Sequence, residues 1–329
     1  MNDNILEIKN LRTVFATPTG VICPVDSVSL NVKRGQVTAL VGESGSGKSV
    51  TAMSILRLIQ EPGRIESGEI LYYPSDRKSA VDILKLATPE LRQIRGHKIA
   101  MIFQEPMTSL NPVYTIGNQI MEAVQLHQGL NHRDALHKTI EMLRRVGITN
   151  PERRVDNYPH ELSGGMRQRV MIAMGLSCNP DLLIADEPTT ALDVTIQAQI
   201  LELIDGLVAE TGMSVLLITH DLGVVAAHAK RVAVMYAAQI VEEAGVVDLF
   251  KNPQHPYTRG LLDSIPSLKP KSEKKLRAIP GMVPQLQNLP HGCRFQDRCI
   301  AVLPDCRAQR IALTNSDDRS YRCLHPVKA

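Results

Sequence analysis

The feature that most constrains this fold is a glycine-rich segment near residue 45. It fits the pattern G-x-x-x-x-G-K-[ST], with the residues Gly42, Glu43, Ser44, Gly45, Ser46, Gly47, Lys48 and Ser49. The β-branched run Val37–Val41 precedes it and a segment with a helical pattern, 50–59, follows it. In this context glycines let the backbone wrap around phosphates beside a positive helix N-terminus. The segment predicts a nucleotide site in which Lys48 bridges the β and γ phosphates and Ser49 ligates Mg²⁺.

Apolar strands alternate with helical segments along the first 250 residues. Besides Val37–Val41, the runs Ile99–Phe103, Leu182–Ala185 and Ser214–Thr219 have the pattern of buried strands. A long amphipathic segment then ends near Gly212, a residue typical of helix stops. This alternation predicts an α/β fold with a largely parallel central sheet.

The composition is that of an ordinary globular protein. Of 329 residues, 43% are apolar, and 37 basic side chains balance 34 acidic ones, which argues against disorder or a fibre. The net charge of +3 is too mild for a dedicated nucleic-acid binder. No apolar run approaches the roughly 20 residues that span a bilayer, and residues 1–10 lack a signal-peptide pattern. We expect a cytoplasmic chain that binds no nucleic acid and can dock to a membrane partner.

A run of helices interrupts the α/β pattern. The segments Ile116–His127, Arg133–Val146 and Gly164–Leu176 follow one another with no strand signal between them. They predict a helical subdomain over about 106–177.

The amino-acid composition of the chain changes near Asn252. Prolines become frequent there, and the basic stretch Lys269–Arg277 has the composition of a solvated connector. We therefore predict one domain over 1–251 and a small C-terminal extension over 252–329.

Two carboxylates follow the apolar strand that ends at Ala185. Asp186 and Glu187 would be delivered to the carboxyl edge of the sheet, where α/β proteins bind their ligands. One acid there can hold Mg²⁺ while the other polarises the attacking water. We assign Asp186 to the metal and Glu187 to the role of general base.

Two further polar residues end predicted strands. His220 follows Ser214–Thr219, where it could sense the γ-phosphate. Gln104 follows Ile99–Phe103, where its amide could touch Mg²⁺ or the attacking water while its backbone leads into the helical segment. Both are candidate catalytic residues.

A further motif points to a known family. The sequence Leu162-Ser163-Gly164-Gly165-Met166, followed by Gln168-Arg169, resembles the signature motif of ATP-binding cassette (ABC) ATPases. The other motifs, including Thr190-Ala191-Leu192-Asp193, stand in the order that this family shows. The resemblance covers about residues 6–250 and implies a P-loop NTPase ABC cassette, with a RecA-like core and a helical subdomain.

The signature motif has its own physical logic. The Ser163 side chain and the amides of Gly164 and Gly165 at a helix start form a second anion site, which a monomer cannot bring to its own phosphate loop. The resemblance implies that this site closes over ATP held by a second cassette. We therefore expect hydrolysis to need a dimer of ABC ATPase subunits, either identical or paralogous.

The segments around Gln104–Pro112 and Asp186–Thr195 resemble the oligopeptide/dipeptide/nickel importer subgroup, as do His255-Pro256-Tyr257-Thr258 and Pro280-Gly281-x-Val283-Pro284. This resemblance implies an ATPase that energises peptide uptake from the cytoplasmic face of the inner membrane, as a peripheral subunit. Its partners would be two transmembrane permease subunits, one of which docks on the surface after Gln104, and indirectly an extracytoplasmic solute-binding protein.

Other functions stay open at this point. They are a nickel or other solute importer ATPase, a soluble cassette ATPase acting on nucleic acid, and a scaffold that does not hydrolyse ATP. The intact Asp186, Glu187 and His220 disfavour the scaffold. One residue departs from the family pattern, because Ile22 stands where an aromatic side chain commonly stacks on adenine, which predicts weaker adenine binding unless Phe15 substitutes.

Four of the six cysteines crowd into the C-terminal extension, which we expect to be a small Cys-containing domain. Cys293, Cys299, Cys306 and Cys323 are separated by five, six and sixteen residues. Thiolates are soft ligands that could compensate for a small core. The family resemblance implies a four-iron four-sulfur cluster, while zinc, which favours closer cysteine pairs, and metal-free thiols remain alternatives. Cys23 and Cys178 are expected to be packing residues.

Overall fold

The computed structural model describes residues 3–75, 79–104, 109–189, 193–265, 278–316 and 318–327. The chain forms two compact units that interleave along the sequence. Unit 1 comprises Met1–Ile5, Val32–Gln36 and Tyr72–Leu217, and unit 2 comprises Leu6–Asn31, Val37–Leu71 and Ile218–Ala329.

Unit 2 contains the phosphate-loop segment and is built on β-structure. Its β-strands are β1 (Asn4–Thr17), β2 (Gly20–Lys33), β3 (Val37–Val41), β4 (Gly63–Tyr72), β9 (Arg231–Tyr236), β10 (Gln239–Gly245), β11 (Thr314–Ser316) and β12 (Arg319–Tyr321). The first residues of β1 and the last residues of β2 and β4 belong to unit 1. Strand β3 pairs parallel with β9, and β9, β10, β12 and β11 then pair antiparallel in that order. Strands β2, β1 and β4 are neighbours in a separate sheet.

The helices of unit 2 are short. They are α1 (Lys48–Ile55), α8 (Leu222–His228), α9 (Val246–Lys251), α10 (Pro256–Asp263) and α11 (Asp305–Ala308). Helix α1 begins at Lys48, two residues before the predicted start, and ends four residues before Ile59, because the chain turns at Arg57 with a positive φ of 51°.

Unit 1 contains most of the helices. Its strands are β5 (Val81–Asp82), β6 (Ile99–Ile102), β7 (Leu182–Asp186) and most of β8 (Ser214–Thr219). Its α-helices are α2 (Thr88–Ile94), α3 (Ile116–Gln128), α4 (His132–Arg145), α5 (Pro151–Arg154), α6 (Gly164–Leu176) and α7 (Val194–Thr211), with 3₁₀ turns at Ile83–Lys85 and Pro159–Glu161.

Polar caps fix where the longer helices of unit 1 begin. The side chains of Thr115, Asn131 and Asp193 each accept a backbone N–H from the first turn of α3, α4 and α7. Gly129 and Gly212 end α3 and α7 in the left-handed conformation. The three helices expected between residues 106 and 177 form within one or two residues of their predicted bounds.

The fold class predicted from the sequence is confirmed, since the molecule is mixed α/β with parallel pairing of β3 with β9 and of β6 with β7. The central strands β3, β7 and β8 are buried along their whole length. Across the described residues we find no helix with the length and apolarity that a membrane span requires. The division into domains at residues 251 and 252 stays a prediction, and the basic stretch Lys269–Arg277 lies outside the described residues.

A buried histidine stands at the start of α10. His255 is 1% exposed, and its Nδ1 accepts the N–H of Tyr257 at 3.1 Å, which caps the helix. Burial lowers the pKa of this imidazole to about 3, and the positive charge of Arg322 acts in the same direction. His255 is therefore neutral in the folded chain at any pH well above 3.

We expect His255 to make the fold sensitive to mild acid. The unfolded chain binds a proton at this residue near pH 6.5, whereas the folded chain binds it only near pH 3, so stability is complete above the first value and falls as pH drops through this window. The expected loss between pH 7 and pH 5 is about 2 kcal/mol in the free energy of unfolding. Urea unfolding at several pH values measures it, and His255→Asn, which keeps a capping acceptor, should remove this part of the slope.

The matched control is His132→Asn, because His132 is exposed and meets water in both states. That variant should follow the pH dependence of the wild-type chain. A His255→Asn variant with an unchanged pH slope between pH 5 and 7 would contradict the assignment.

Candidate functional site

The phosphate loop turns sharply between β3 and α1. Gly42, Gly45 and Gly47 take φ values of 157°, 76° and 106°, a region that favours glycine. A Cβ atom on Gly42 would lie 2.1 Å from the carbonyl oxygen of Met235, and one on Gly47 would lie 2.0 Å from that of Pro24. Backbone packing as well as conformation therefore requires glycine at these two positions.

Lys48 closes the loop on itself. Its side chain is 5% exposed, and its Nζ donates to the carbonyl oxygens of Gly42 at 2.8 Å and Glu43 at 3.1 Å. The ammonium group is thus held against the loop at the first residue of α1, where the helix dipole adds positive potential. Such an arrangement is suited to bind the phosphates of a nucleotide.

The rest of the loop is consistent with an anionic ligand. The Ser46 hydroxyl is buried and has no hydrogen-bond partner among the described residues, so an oxygen of a ligand could satisfy it. Ser49 is half-buried on the first turn of α1, whereas Ser44 and Gly45 are exposed at the tip of the loop. Phosphate oxygens and Mg²⁺ therefore fit the residues present in unit 2.

A turn at Ala237 and Ala238, which the sequence did not reveal, supports the phosphate loop. Ala237 and Ala238 both have positive φ values, of 42° and 71°. The Ala238 N–H donates to the carbonyl oxygen of Ser46 at 2.9 Å, and its carbonyl oxygen accepts the N–H of Asp26 at the same distance. Alanine rarely adopts this conformation, so no residue pattern marked the turn.

His220 also belongs to unit 2. It follows β8 directly and is exposed, and the next residue, Asp221, accepts the N–H groups of Gly223 and Val224 to start α8. The position after a buried strand is the one predicted. The role of His220 at the γ-phosphate stays a prediction.

Unit 1 brings two predicted catalytic residues together. Parallel pairing of β6 and β7 sets Ile102 opposite Ala185, and Gln104 and Glu187 each lie two residues further on. The Gln104 Nε2 donates to a carboxylate oxygen of Glu187 at 3.2 Å. Asp186 is the last residue of β7 and is 4% exposed. The structure therefore places an amide and two carboxylates at one edge of the sheet.

Glu187 has an unusual backbone. Its φ of 46° is in the left-handed region, which costs a non-glycine residue about 1 kcal/mol or more. Strain of this kind is kept where the surrounding structure imposes it, as at a functional site. The Thr190, Ala191 and Leu192 of the next motif lie outside the described residues, and so do Glu105–Thr108 after Gln104.

The signature motif forms an exposed helix start, also in unit 1. The Ser163 hydroxyl accepts the N–H of Met166 at 3.4 Å, and Gly164 and Gly165 are the first residues of α6. Ser163 and Gly164 are exposed, and a Cβ on Gly164 would meet no atom within 4 Å. The Gln168 amide, one turn further on, donates to the carbonyl oxygen of Pro188, next to Glu187. The motif is thus an exposed helix start tied to the acidic segment, and its role as an anion site stays a prediction.

Phe15, the aromatic residue named above as a possible substitute at the adenine, packs against a strand. Phe15 lies against Gly63 of β4, where a Cβ would come within 2.5 Å of its ring. Ile22 itself is half-buried.

The four C-terminal cysteines line one small cavity in unit 2, and none is in a disulfide. The Cys293 N–H donates to the carbonyl oxygen of Cys306 at 2.8 Å. Burial raises the pKa of the Cys293, Cys299 and Cys323 thiols, that of Cys323 to about 12. These three thiols are therefore protonated at neutral pH unless a metal displaces the protons.

A second group of donors lies beside these cysteines. Among the described residues, side-chain donor atoms of Asp305, Cys306 and His325 lie within 4.8 Å of one another. His325 Nε2 and Asp305 Oδ2 are 2.7 Å apart, and both side chains are exposed. An exposed pair of this kind is satisfied without an ion.

Two protein families match this sequence. Residues 25–190 match the family model described as ABC transporter, and residues 241–306 match that of the oligopeptide/dipeptide transporter C-terminal region.

Two curated relatives align over nearly their whole length. The chain is 50% identical over 322 residues to the oligopeptide transport ATP-binding protein AppD of Bacillus subtilis, covering 97% of this chain and 96% of AppD. It is 47% identical over 323 residues to the dipeptide transport ATP-binding protein DppD of Haemophilus influenzae, covering 98% and 96%.

A solved structure agrees with the fold. The dimeric ATP-binding cassette MJ0796, in a post-hydrolysis state with ADP and Pi, superposes with a TM-score of 0.65 at 28% identity. The match covers 73% of this chain and 98% of that one.

Proposed function

The chain belongs to the ABC transporter family and is related over nearly its whole length to ATP-binding proteins of peptide transport, and on this premise we propose that it hydrolyses ATP to energise peptide uptake. The observation that carries the proposal is the phosphate loop of unit 2, in which the buried Lys48 ammonium sits on the carbonyl oxygens of Gly42 and Glu43. The names of AppD and DppD support peptides as the transported class.

In the proposed reaction each motif residue has its own role on ATP. The amides of the phosphate loop and Lys48 hold the β and γ phosphates. Ser49 and Asp186 would hold Mg²⁺, which would neutralise charge on the phosphates. Gln104 orients the water that attacks the γ phosphorus. Glu187 takes a proton from that water as the bond to ADP breaks. His220 senses the γ-phosphate.

A second cassette completes the site. Ser163, Gly164 and Gly165 of one subunit bind the γ-phosphate of ATP held by the other, since an exposed helix start with free amides attracts an anion. The dimeric state of MJ0796 supports this arrangement. The partner subunit is an ABC ATPase that is identical or paralogous.

Transport requires membrane partners. We place the chain at the cytoplasmic face of the inner membrane as a peripheral subunit, bound to two transmembrane permease subunits. A solute-binding protein delivers peptide to those permeases, and closure of the two cassettes moves the pathway. No step of this scheme involves nucleic acid.

The C-terminal cysteines form the last part of the proposal. Four thiols around one cavity are a donor set that fits a four-iron four-sulfur cluster. Its bound form would restrain residues 293–323 and play no part in hydrolysis. Visible spectra of anaerobically purified full-length protein test it, because an iron–sulfur cluster absorbs visible light and zinc does not. Loss of the absorption in Cys299→Ser is expected, and a colourless wild-type protein without iron would overturn the cluster.

The catalytic assignment predicts that two substitutions stop turnover in different ways. Lys48→Ala should abolish turnover because the phosphates lose their main positive partner. Glu187→Gln should lower steady-state phosphate release by roughly 100-fold or more, since the water loses its base, and should leave ATP trapped in a closed dimer. Phosphate release and nucleotide retained on gel filtration measure the two effects.

The control is Glu202→Gln, which makes the same chemical change on the exposed surface of α7. Its turnover should equal that of the wild type. Normal steady-state hydrolysis by Lys48→Ala or Glu187→Gln would count against the roles assigned to these residues.

A further inference from the structure

The C-terminal segment that carries the cysteines also reaches the phosphate loop. Arg298, the residue before Cys299, donates from Nη1 to Glu43 Oε2 at 2.7 Å and from Nη2 to Glu43 Oε1 at 3.0 Å. Both residues belong to unit 2, and they are 255 positions apart in sequence. The pair is bidentate and its arginine is 7% exposed, which makes it one of the stronger kinds of ion pair.

Arg298 is held in place from several sides. Its Nε donates to the carbonyl oxygen of Pro280 at 2.9 Å, and its guanidinium lies 5.7 Å from the ring centre of Tyr236 and 5.9 Å from that of Phe295. Burial alone lowers the pKa of Arg298, but its hydrogen bonds to Glu43 and Tyr236 raise it more, so the side chain stays charged. The guanidinium is therefore a fixed support and not a mobile surface group.

The backbone of Glu43 is held from the same side. Its N–H donates to the hydroxyl of the buried Tyr257 at 3.0 Å. The carbonyl oxygen of Glu43 is one of the two that position the Lys48 ammonium. Glu43 thus binds Arg298 through its side chain and Tyr257 through its amide, and its carbonyl oxygen holds Lys48, the lysine that faces the phosphates.

A second arginine of the same segment acts nearby. Arg294 donates to the carbonyl oxygen of Ala237 at 2.6 Å and pairs with Asp26. The neighbouring Ala238 N–H bonds the carbonyl oxygen of Ser46 in the loop. The stretch between Cys293 and Cys299 therefore supports the phosphate loop at two points.

Electrostatics give these contacts a consequence for nucleotide binding. Glu43 places a negative charge in a loop that must accept the negative phosphates of ATP, which by itself opposes binding. The Arg298 guanidinium neutralises that charge and holds the half-buried carboxylate in one geometry. Without it, an unpaired carboxylate and a less restrained carbonyl would face the ligand.

We propose that Arg298 is a positioning residue for ATP, acting through Glu43, so that the cysteine-bearing segment sets the nucleotide affinity of the phosphate loop. The proposal rests on the proposed function in that the ligand of the loop is ATP. Binding or loss of a metal at the cysteines would then change the nucleotide affinity, because the short stretch from Cys293 to Cys299 contacts the phosphate loop.

The experiment is a double-mutant cycle on the full-length chain, with Mg·ATP affinity measured by calorimetric titration. Arg298→Gln should weaken ATP binding about fivefold or more, and Arg298→Lys should restore part of the loss because it keeps the charge. In a Glu43→Gln background, where no carboxylate needs neutralising, Arg298→Gln should weaken binding much less. A role that is merely structural would lower affinity equally in both backgrounds.

Arg307→Gln is the matched control. This arginine lies in the same segment and pairs with Asp297 at 3.4 Å, with both side chains exposed, so its loss should leave ATP affinity unchanged. Should Arg298→Gln fail to fold, Arg298→Lys in the two backgrounds closes the same cycle.

Two results would overturn the proposal. One is wild-type ATP affinity in folded Arg298→Gln, and the other is an equal loss with and without Glu43. A wild-type chain that binds no ATP is a separate outcome, because it removes the proposed function and the positioning role together.

Discussion

The backbone path of residues 42–47 is the constraint on which the rest of the molecule depends. Gly42 and Gly47 have positive φ values, and other backbone segments pack so closely against them that a Cβ atom would not fit. This path turns the end of β3 into the first turn of α1 in six residues. It also brings the two carbonyl oxygens of Gly42 and Glu43 to the Lys48 ammonium. A phosphate site made of backbone amides exists only while that path is kept.

The loop is held by residues that come from distant parts of the sequence. Pro24 and Met235 contact its glycines, Ala238 bonds Ser46, and Tyr257 bonds Glu43. A strand from the N-terminal part and segments beyond residue 230 therefore help to hold the loop. The acidic residues and the signature helix are arranged independently in unit 1, where β6, β7 and α6 position them.

Much of this site could be read from local sequence patterns. The strand β3 follows from a buried β-branched run, and a helix after the phosphate loop follows from the helical pattern of the next residues. The Gln104 to Glu187 contact follows from two parallel strands whose carboxyl ends lie side by side. The Ser163 cap follows from a serine before two glycines. Each of these depends on residues within a few positions of one another or on the general rule for parallel strand ends.

The rest could not be read because it depends on tertiary contacts. The long strands β1 and β2 mix polar and apolar residues without a clean alternation, and α1 ends early because Arg57 takes an unusual conformation. The pairing of Arg298 with Glu43 joins residues 255 positions apart, which no local pattern indicates. The cysteine spacing was visible in the sequence, but the single cavity that the four thiols line was not.

The most direct test of this account is the affinity of the full-length Gly47→Ala variant for Mg·ATP, measured by calorimetric titration beside its thermal unfolding. A Cβ at position 47 would lie 2.0 Å from the Pro24 carbonyl oxygen and 2.7 Å from the Met235 side chain, so the loop backbone would have to move. The account predicts a folded protein that binds ATP at least tenfold more weakly, a change of about 1.4 kcal/mol. A Gly47→Ala chain that binds ATP as tightly as the wild type would contradict it.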